Sequence, residues 1–223
     1  MKGLKKNSQD PTPTQGLTRG ERNVADADPP FGMGATNVLD RIFARLGFLN
    51  GVKPEFVHCC DVANAGVLFA LPALLNNGLL DSLEEYWKLP PGYYTLQQIF
   101  LVISFLALCR IKTFEQLRYT TPGEWGKVLG IDRIPEVKTL RRKIDILSEQ
   151  QNAENWSSAL SKKWMESDTV SAGILCVDGH TRVYHGKQTK LPRHYLARER
   201  LCVRATVDYW VNAMDGKPFF CVN

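Results

Sequence analysis

The spacing of apolar and polar residues divides the chain into three stretches. Residues 1–34 are polar and rich in Pro, Gly, Asn and Asp, so they carry too little apolar surface to offset the entropy lost on ordering. Residues 35–168 repeat apolar positions every three or four residues, which is typical of helices. Residues 169–223 contain short apolar and alternating runs, which are typical of strands. We therefore predict an α+β protein with a loosely ordered N-terminal tail.

The helical region contains several helix start and stop signals. Apolar residues at helical spacing predict a helix over residues 36–48. Asp61 is a candidate cap for a helix to about Asn76 that is kinked or restarts near Pro72. The strongest prediction is an apolar helix after Thr95, because Thr95 and Gln98 have the spacing of a capping box. Further helices are predicted over residues 113–119, 122–130, 135–148 and 153–166.

The three helices between residues 113 and 148 have the size and spacing of a helix-turn-helix unit. On the last of them the basic residues Lys138, Arg141 and Arg142 are three and four positions apart, so they share one face. Such a face is a candidate for contact with DNA phosphates or with a major groove. A solvated helix face explains the same pattern, and both interpretations stay open.

The β-rich region contains four candidate runs. Residues 173–178 form a short apolar run of the type found in buried strands, and residues 181–185 alternate weakly. Two further strands, over residues 203–211 and 218–222, are predicted to form a hairpin because the turn signal Met-Asp-Gly lies between them.

Composition and charge narrow the choice of protein class. Hydrophobic residues make up 44% and charged residues 23%, which is typical of a folded soluble protein. The formal net charge is only +5, yet residues 179–204 hold seven Lys or Arg against one acid, which indicates either a nucleic-acid partner or a solvated loop. The longest apolar run, residues 99–109, is too short to span a bilayer, and residues 1–30 contain no secretory signal. We therefore expect a cytoplasmic protein with no membrane contact.

Asp178 is the most informative candidate for chemistry. It follows the apolar run 173–178 and precedes Gly179, and a carboxylate there is costly to bury without a partner. Coordination of Mg²⁺ is one solution, and two such ions can drive phosphoryl transfer. The alternative is a turn cap, since Asp-Gly is a common turn pair. His180 would share a face with Asp178 in an extended chain, although a polar loop residue is the more economical interpretation.

The stretch after Asp178 interleaves basic and aromatic residues. Basic groups neutralise phosphates, and aromatic rings stack on unpaired bases. The candidate DNA contacts are Lys187, Lys190, Arg193, Arg198 and Arg200, and the candidate rings are Tyr184, His185, His194 and Tyr195.

Two long motifs carry a resemblance to a known family. The runs VDGHTRVYHGKQTKLPRHY and RATVDYWVNAMDGKPFF resemble the start of the catalytic domain in DDE transposases of bacterial insertion sequences. The upstream runs PPGYYTLQQIFLVISFLALCRIKTFEQLRY and GEWGKVLGIDRIPEVKTLRRKI resemble the helical region that precedes this domain in one subgroup. The resemblance covers roughly residues 36–223.

The resemblance implies an RNase H-like catalytic domain that would begin at residue 169, of which the chain would hold the first three strands. Asp178 matches the family's first catalytic and metal-binding acid, and the full-length family would use Mg²⁺ or Mn²⁺. Neither Asp208 nor Asp215 lies where the family places its second Asp, and nothing matches the Glu. We therefore expect a truncated transposase that binds DNA, holds the ion weakly and does not cut DNA alone.

Other interpretations stay open at this stage. An incomplete sheet exposes an edge, so association of the chain with itself is one expectation. A non-catalytic DNA-binding regulator built on the helical region is the alternative function. A protein-interaction module without a nucleic-acid partner is a third candidate, because the overall charge is mild.

Overall fold

The computed structural model describes residues 37–59, 62–186, 189–197 and 199–222, so the predicted tail over residues 1–34 lies outside the described residues. The chain divides into two compact units, Met1–Gln151 and Asn152–Asn223. The first unit is helical, and the second combines a helix with a four-stranded antiparallel sheet. The predicted α+β class is confirmed, but the described sheet has four strands where the family resemblance implied three.

The first unit contains six α-helices and two 3₁₀ helices among its described residues. The α-helices are α1 Val38–Arg45, α2 Leu71–Asn76, α3 Leu83–Tyr86, α4 Leu96–Leu108, α5 Pro122–Leu129 and α6 Val137–Glu149. The 3₁₀ helices are Ala65–Ala70 and Phe114–Tyr119. The predicted restart near Pro72 is confirmed, because the 3₁₀ helix gives way to α2 with proline in its first turn. Asp61, the predicted cap, lies outside the described residues.

Helix α4 forms the centre of the first unit, as its apolar pattern predicted. The capping box is present, since the Gln98 amide donates to Thr95 Oγ1 at 3.1 Å and the Thr95 amide donates to Gln98 Oε1 at 2.9 Å. Ile99, Val102 and Phe105 are almost completely buried. Burial of such side chains is the main favourable contribution to folding.

Helix α1 is attached to the helical core through the buried carboxylate of Asp132. Arg41 of α1 donates to Asp132 from Nη2 at 2.6 Å and from Nε at 3.1 Å, and the Tyr93 hydroxyl donates to the same carboxylate at 2.5 Å. The Arg41 guanidinium also lies over the Tyr93 ring, 4.0 Å from its centroid. Burial and the neighbouring Asp132 raise the pKa of Tyr93, so this hydroxyl keeps its proton.

The second unit begins with helix α7, Ala153–Ser167, and continues into the sheet. The strands are β1 Leu175–Val183, β2 Arg193–Leu196, β3 Leu201–Ala213 and β4 Pro218–Val222. Strand β3 is central: β1 pairs with it along one side, and β2 and β4 pair with it along the other. The Ser161 hydroxyl of α7 donates to the Phe219 carbonyl, which joins the helix to β4.

Two of the strand predictions are wrong in detail. The runs 173–178 and 181–185 form one continuous strand, β1, and β2 lies inside the stretch predicted as a basic loop. Strand β1 was expected to be buried, but its residues from Leu175 to His180 are exposed. The reason is its position: among the described residues β1 pairs only with β3 and forms an edge of the sheet. The predicted hairpin of β3 and β4 is confirmed.

Candidate nucleic-acid interface

Helix α6 separates an apolar face from a basic face. Val137, Leu140 and Leu147 are buried against the core of the first unit. The three basic residues singled out from the sequence are exposed on the other face: Lys138, Arg141 and Arg142. The helix begins two residues after Pro135, which was expected to open it.

The exposed side of α6 forms one wall of a shallow groove. Its lining residues are Arg118, Lys138, Thr139, Arg141, Arg142 and Asp145. Arg118 comes from the 3₁₀ helix Phe114–Tyr119, which packs beside α6. Four cations from two elements therefore line a single concave surface, which we call the basic groove. Arg118 was missed from the sequence, because only tertiary packing brings the 3₁₀ helix next to α6.

Glu115 is engaged with two of these cations. Its Oε1 lies 2.5 Å from Arg141 Nη2, and its Oε2 lies 2.8 Å from Arg118 Nε. All three side chains are more than a third exposed, and ion pairs of this kind contribute about 0–1 kcal/mol. Little free energy is therefore lost when either ion pair breaks.

Lys143, the next basic residue of α6, does not belong to the basic groove. It is buried, and its ammonium donates to the Tyr94 carbonyl at 3.4 Å. Burial lowers the pKa of Lys143, and the nearby Arg142 lowers it further. The run of three consecutive basic residues, Arg141 to Lys143, thus divides between the surface and the core.

Asp178 lies in the middle of β1, where the sequence predicted the end of a strand. It is exposed and pairs in register with Trp210 of β3. The strand continues because the pairing with β3 extends to Val183, opposite Ala205. The Asp-Gly turn is therefore absent, and Asp178 lies on the surface of a continuous strand.

The nearest acid in the β1–β3 register on the same face is Asp208, opposite His180. Asp208 is buried, and both of its carboxylate oxygens are bound by Arg182, at 2.5 Å to Nε and 2.8 Å to Nη2. Within the described parts of the chain, His, Cys, Asp and Glu side chains form no cluster of three that could hold a metal ion. Among the described residues, Asp178 thus offers a metal ion one carboxylate, without a second acid to complete the site.

The sheet places the basic residues that follow β1 in different positions, some on β2 and some in the loops beside it. Arg193 is exposed on β2 opposite Arg204, whereas Lys190 and Arg200 are exposed in the loops on either side of β2. Arg200 has a positive φ of 53°, which marks a tight turn. The other two predicted contacts, Lys187 and Arg198, lie outside the described residues.

The candidate stacking residues also lie in different positions. Tyr195 is exposed on the same face as Arg193, but His194 lies on the opposite face because side chains alternate along a strand. The Tyr184 hydroxyl accepts a hydrogen bond from the Thr189 amide at 3.2 Å. The Tyr184 hydroxyl is therefore already engaged by Thr189.

Comparison with known proteins decides the family. A family model described as transposase protein matches residues 32–223 of the chain. The chain belongs to this transposase family. No curated protein matches it, and no solved structure matches it. Among the residues that the structure describes, none of the helices is both long and apolar enough to cross a bilayer.

Membership of a transposase family gives the two basic regions a common context, because transposition acts on DNA. This transposase carries one basic region on a helix of the first unit and another on the sheet of the second. The roles predicted for Lys138, Arg141, Arg142 and Asp178 stay predictions, since their positions alone do not test them.

Proposed function

We propose that this transposase binds duplex DNA through the basic groove of its first unit. The observation that carries the proposal is the convergence of four exposed cations, from α6 and the 3₁₀ helix Phe114–Tyr119, on one concave surface. Cations that contact phosphates release condensed counterions, which is the main source of sequence-independent DNA affinity. The order of the 3₁₀ helix, α5 and α6 is compatible with a helix-turn-helix-like arrangement, in which the last helix would approach the major groove.

The test is duplex binding by a Lys138→Ala/Arg142→Ala variant. Removal of two phosphate contacts is expected to weaken binding and to reduce the slope of log K against log salt by about 1.8. Fluorescence anisotropy with a labelled duplex, measured between low and moderate salt, reports both quantities. Lys162→Ala/Lys163→Ala is the matched control, because it removes two positive charges from α7. Equal losses in both variants would contradict the proposal.

We further propose that the chain is a DDE transposase of the insertion-sequence type, with an RNase H-like second unit and Asp178 as its first catalytic acid. Two observations support this: Asp178 projects from the first strand of the sheet, and its carboxylate is exposed. The sequence resemblance of this strand and of β3 and β4 to that family supports it too. The helical first unit would then hold the DNA that the second unit acts on.

Mg²⁺ or Mn²⁺ would be the ion for this chemistry, with Asp178 as its ligand. A carboxylate suits either ion, but the described residues around Asp178 supply no further acid that is not already bound to a cation, since Arg182 occupies Asp208. The donors present therefore do not make up an ion site, and we derive no catalytic step from them. Paramagnetic broadening of the Asp178 amide signal by Mn²⁺, lost in Asp178→Asn, would support the assignment. Broadening that survives this substitution would refute it.

A non-catalytic DNA-binding regulator is the second candidate function. It is favoured by the location of the basic groove and Asp178 in different compact units, because duplex binding then needs no acid. Both candidates predict that Asp178→Asn leaves duplex affinity unchanged. Only the DDE transposase hypothesis predicts that Asp178 binds the ion, so loss of the Mn²⁺ broadening in Asp178→Asn distinguishes the two.

A further inference from the structure

The three strands β1, β2 and β3 place all of their charged side chains on one face of the sheet. The register aligns Asp178 with Trp210, His180 with Asp208, and Arg182 with Thr206. It also aligns Arg193 with Arg204 and Tyr195 with Cys202. Since directly opposed residues project to the same side of a sheet, these ten residues form one surface, which we call the polar face. The opposite face carries no Asp, Glu, Lys or Arg from these strands.

The polar face has an exposed aromatic ring near each end. Tyr195 is 64% exposed and Trp210 is 41% exposed. Cys202, the register partner of Tyr195, and Trp210 are eight residues apart on β3, which corresponds to about 27 Å of extended strand. Arg193, Arg204 and Arg182 lie between the two rings along this distance.

We propose that the polar face binds a single strand of DNA, with unpaired bases stacked on Tyr195 and Trp210 and phosphates on the arginines between them. Every base has a π face, so exposed rings bind single strands with little sequence preference. In a duplex the bases are already stacked on one another and paired, so no base face is free to stack on Tyr195 or Trp210. Charge complementarity supports a nucleic acid as the occupant, because the three arginines of this face outnumber its two acids, Asp178 and Asp208, and Arg193 and Arg204 are exposed.

An ion pair between Arg182 and Asp208 lies in the middle of the polar face. The buried Asp208 holds Arg182 through two contacts, while more than half of the Arg182 side chain stays exposed. Arg182 is thereby held on the surface with donors still available to a phosphate. The strand bound there would reach Asp178, whose register partner is Trp210. The polar face belongs to the second unit, whereas the basic groove, for which we propose duplex binding, belongs to the first.

The test uses the full chain and a fluorescent oligothymidylate of about 15 nucleotides, a length within the usual site size of single-strand binders. Tyr195→Ala and Trp210→Ala are each expected to weaken binding by about 5- to 150-fold, and Trp210→Phe is expected to retain most of the affinity. Tyr209→Ala is the matched control, since Tyr209 is next to Trp210, 50% exposed and on the opposite face. It is expected to bind like the unmodified chain.

A second measurement separates this proposal from the basic groove. Arg193→Ala/Arg204→Ala should reduce the salt slope of oligothymidylate binding by about 1.4 while duplex binding stays unchanged. A far-ultraviolet circular dichroism spectrum like that of the unmodified chain shows that the variant is folded. Lys138→Ala/Arg142→Ala should have the opposite pattern. Absence of oligothymidylate binding at low salt would overturn the inference. So would equal losses in Trp210→Ala and Tyr209→Ala, whether or not the basic groove binds duplex DNA.

Discussion

The two units of this transposase differ in how they use their apolar residues. In the first unit α4, α5 and α6 bury apolar side chains, and the cations of α6 other than Lys143 are exposed. In the second unit a nine-residue strand, β1, exposes Leu175 and Val177 beside Asp178. Helices α4, α5 and α6 thus bury apolar side chains within the first unit, whereas among the described residues β1 pairs with another strand along one side only. We infer that stability resides mainly in the helices.

The units also present their cations differently. A helix repeats every 3.6 residues, so Lys138, Arg141 and Arg142 gather on one narrow face. A strand alternates with a period of two, so the polar face interleaves arginines with Tyr195 and Trp210 across several strands. The first arrangement suits a rigid row of phosphates, and the second suits a strand whose bases are exposed.

The largest expected effect contrasts the packing of the two units. Phe105→Ala removes an almost completely buried ring from the centre of the first unit, and we expect the free energy of unfolding to fall by about 3–5 kcal/mol. Val177→Ala on β1, where the side chain is 68% exposed, should change it by about 0.5 kcal/mol or less. Urea denaturation of the two variants measures both. Comparable losses would show that β1 is packed in solution and would break the contrast.

An intermediate effect is expected at the attachment of α1. Asp132→Asn removes the charge that Arg41 and Tyr93 share, while it keeps the shape of the side chain. Because Arg41 is partly exposed, we expect a loss of about 1–3 kcal/mol, smaller than for a fully buried ion pair. Asp145→Asn, an exposed acid on α6, is the control. In Asp132→Asn, faster amide hydrogen exchange confined to α1 would show that Asp132 attaches this helix, and unchanged exchange would contradict the prediction.

The smallest expected effect tests the basic groove. Glu115→Gln releases Arg118 and Arg141 from their shared carboxylate and removes a negative charge near bound phosphate. We expect duplex affinity at low salt to rise about three- to ten-fold, since exposed ion pairs contribute about 0–1 kcal/mol each. Glu149→Gln makes the same change of charge at the last residue of α6 and should have little effect. Weaker binding by Glu115→Gln would show instead that Glu115 aligns the arginines for DNA.

Several elements could be predicted from the sequence because their signals are local. The capping box of Thr95 and Gln98 involves neighbours three residues apart, and both of its hydrogen bonds are present. Gly130 ends α5 with a φ of 68°, as glycine at such a position commonly does. The two faces of α6 follow from the 3.6-residue period. Local spacing therefore determined the helices and the exposure of Lys138, Arg141 and Arg142.

The sheet could not be predicted to the same depth, because its contacts are not local. The run 173–178 has the composition of a buried strand, yet β1 lies at the edge of the described sheet. Whether an apolar strand is central or at an edge depends on which strands pair with it, and residues that pair are more than 20 positions apart in β1 and β3. Trp210 was missed as a candidate site residue for the same reason.

The sequence by itself determined the class of the protein, the helices of the first unit and the basic face of α6, since propensity, capping and helical period act over a few residues. Only the tertiary structure decided that Arg118 joins this face, that Arg182 holds Asp208 and that Tyr195, Trp210 and three arginines share one side of the sheet. These groupings depend on strand register and on packing between elements. A shift of register by one residue would move every side chain of a strand to the other face.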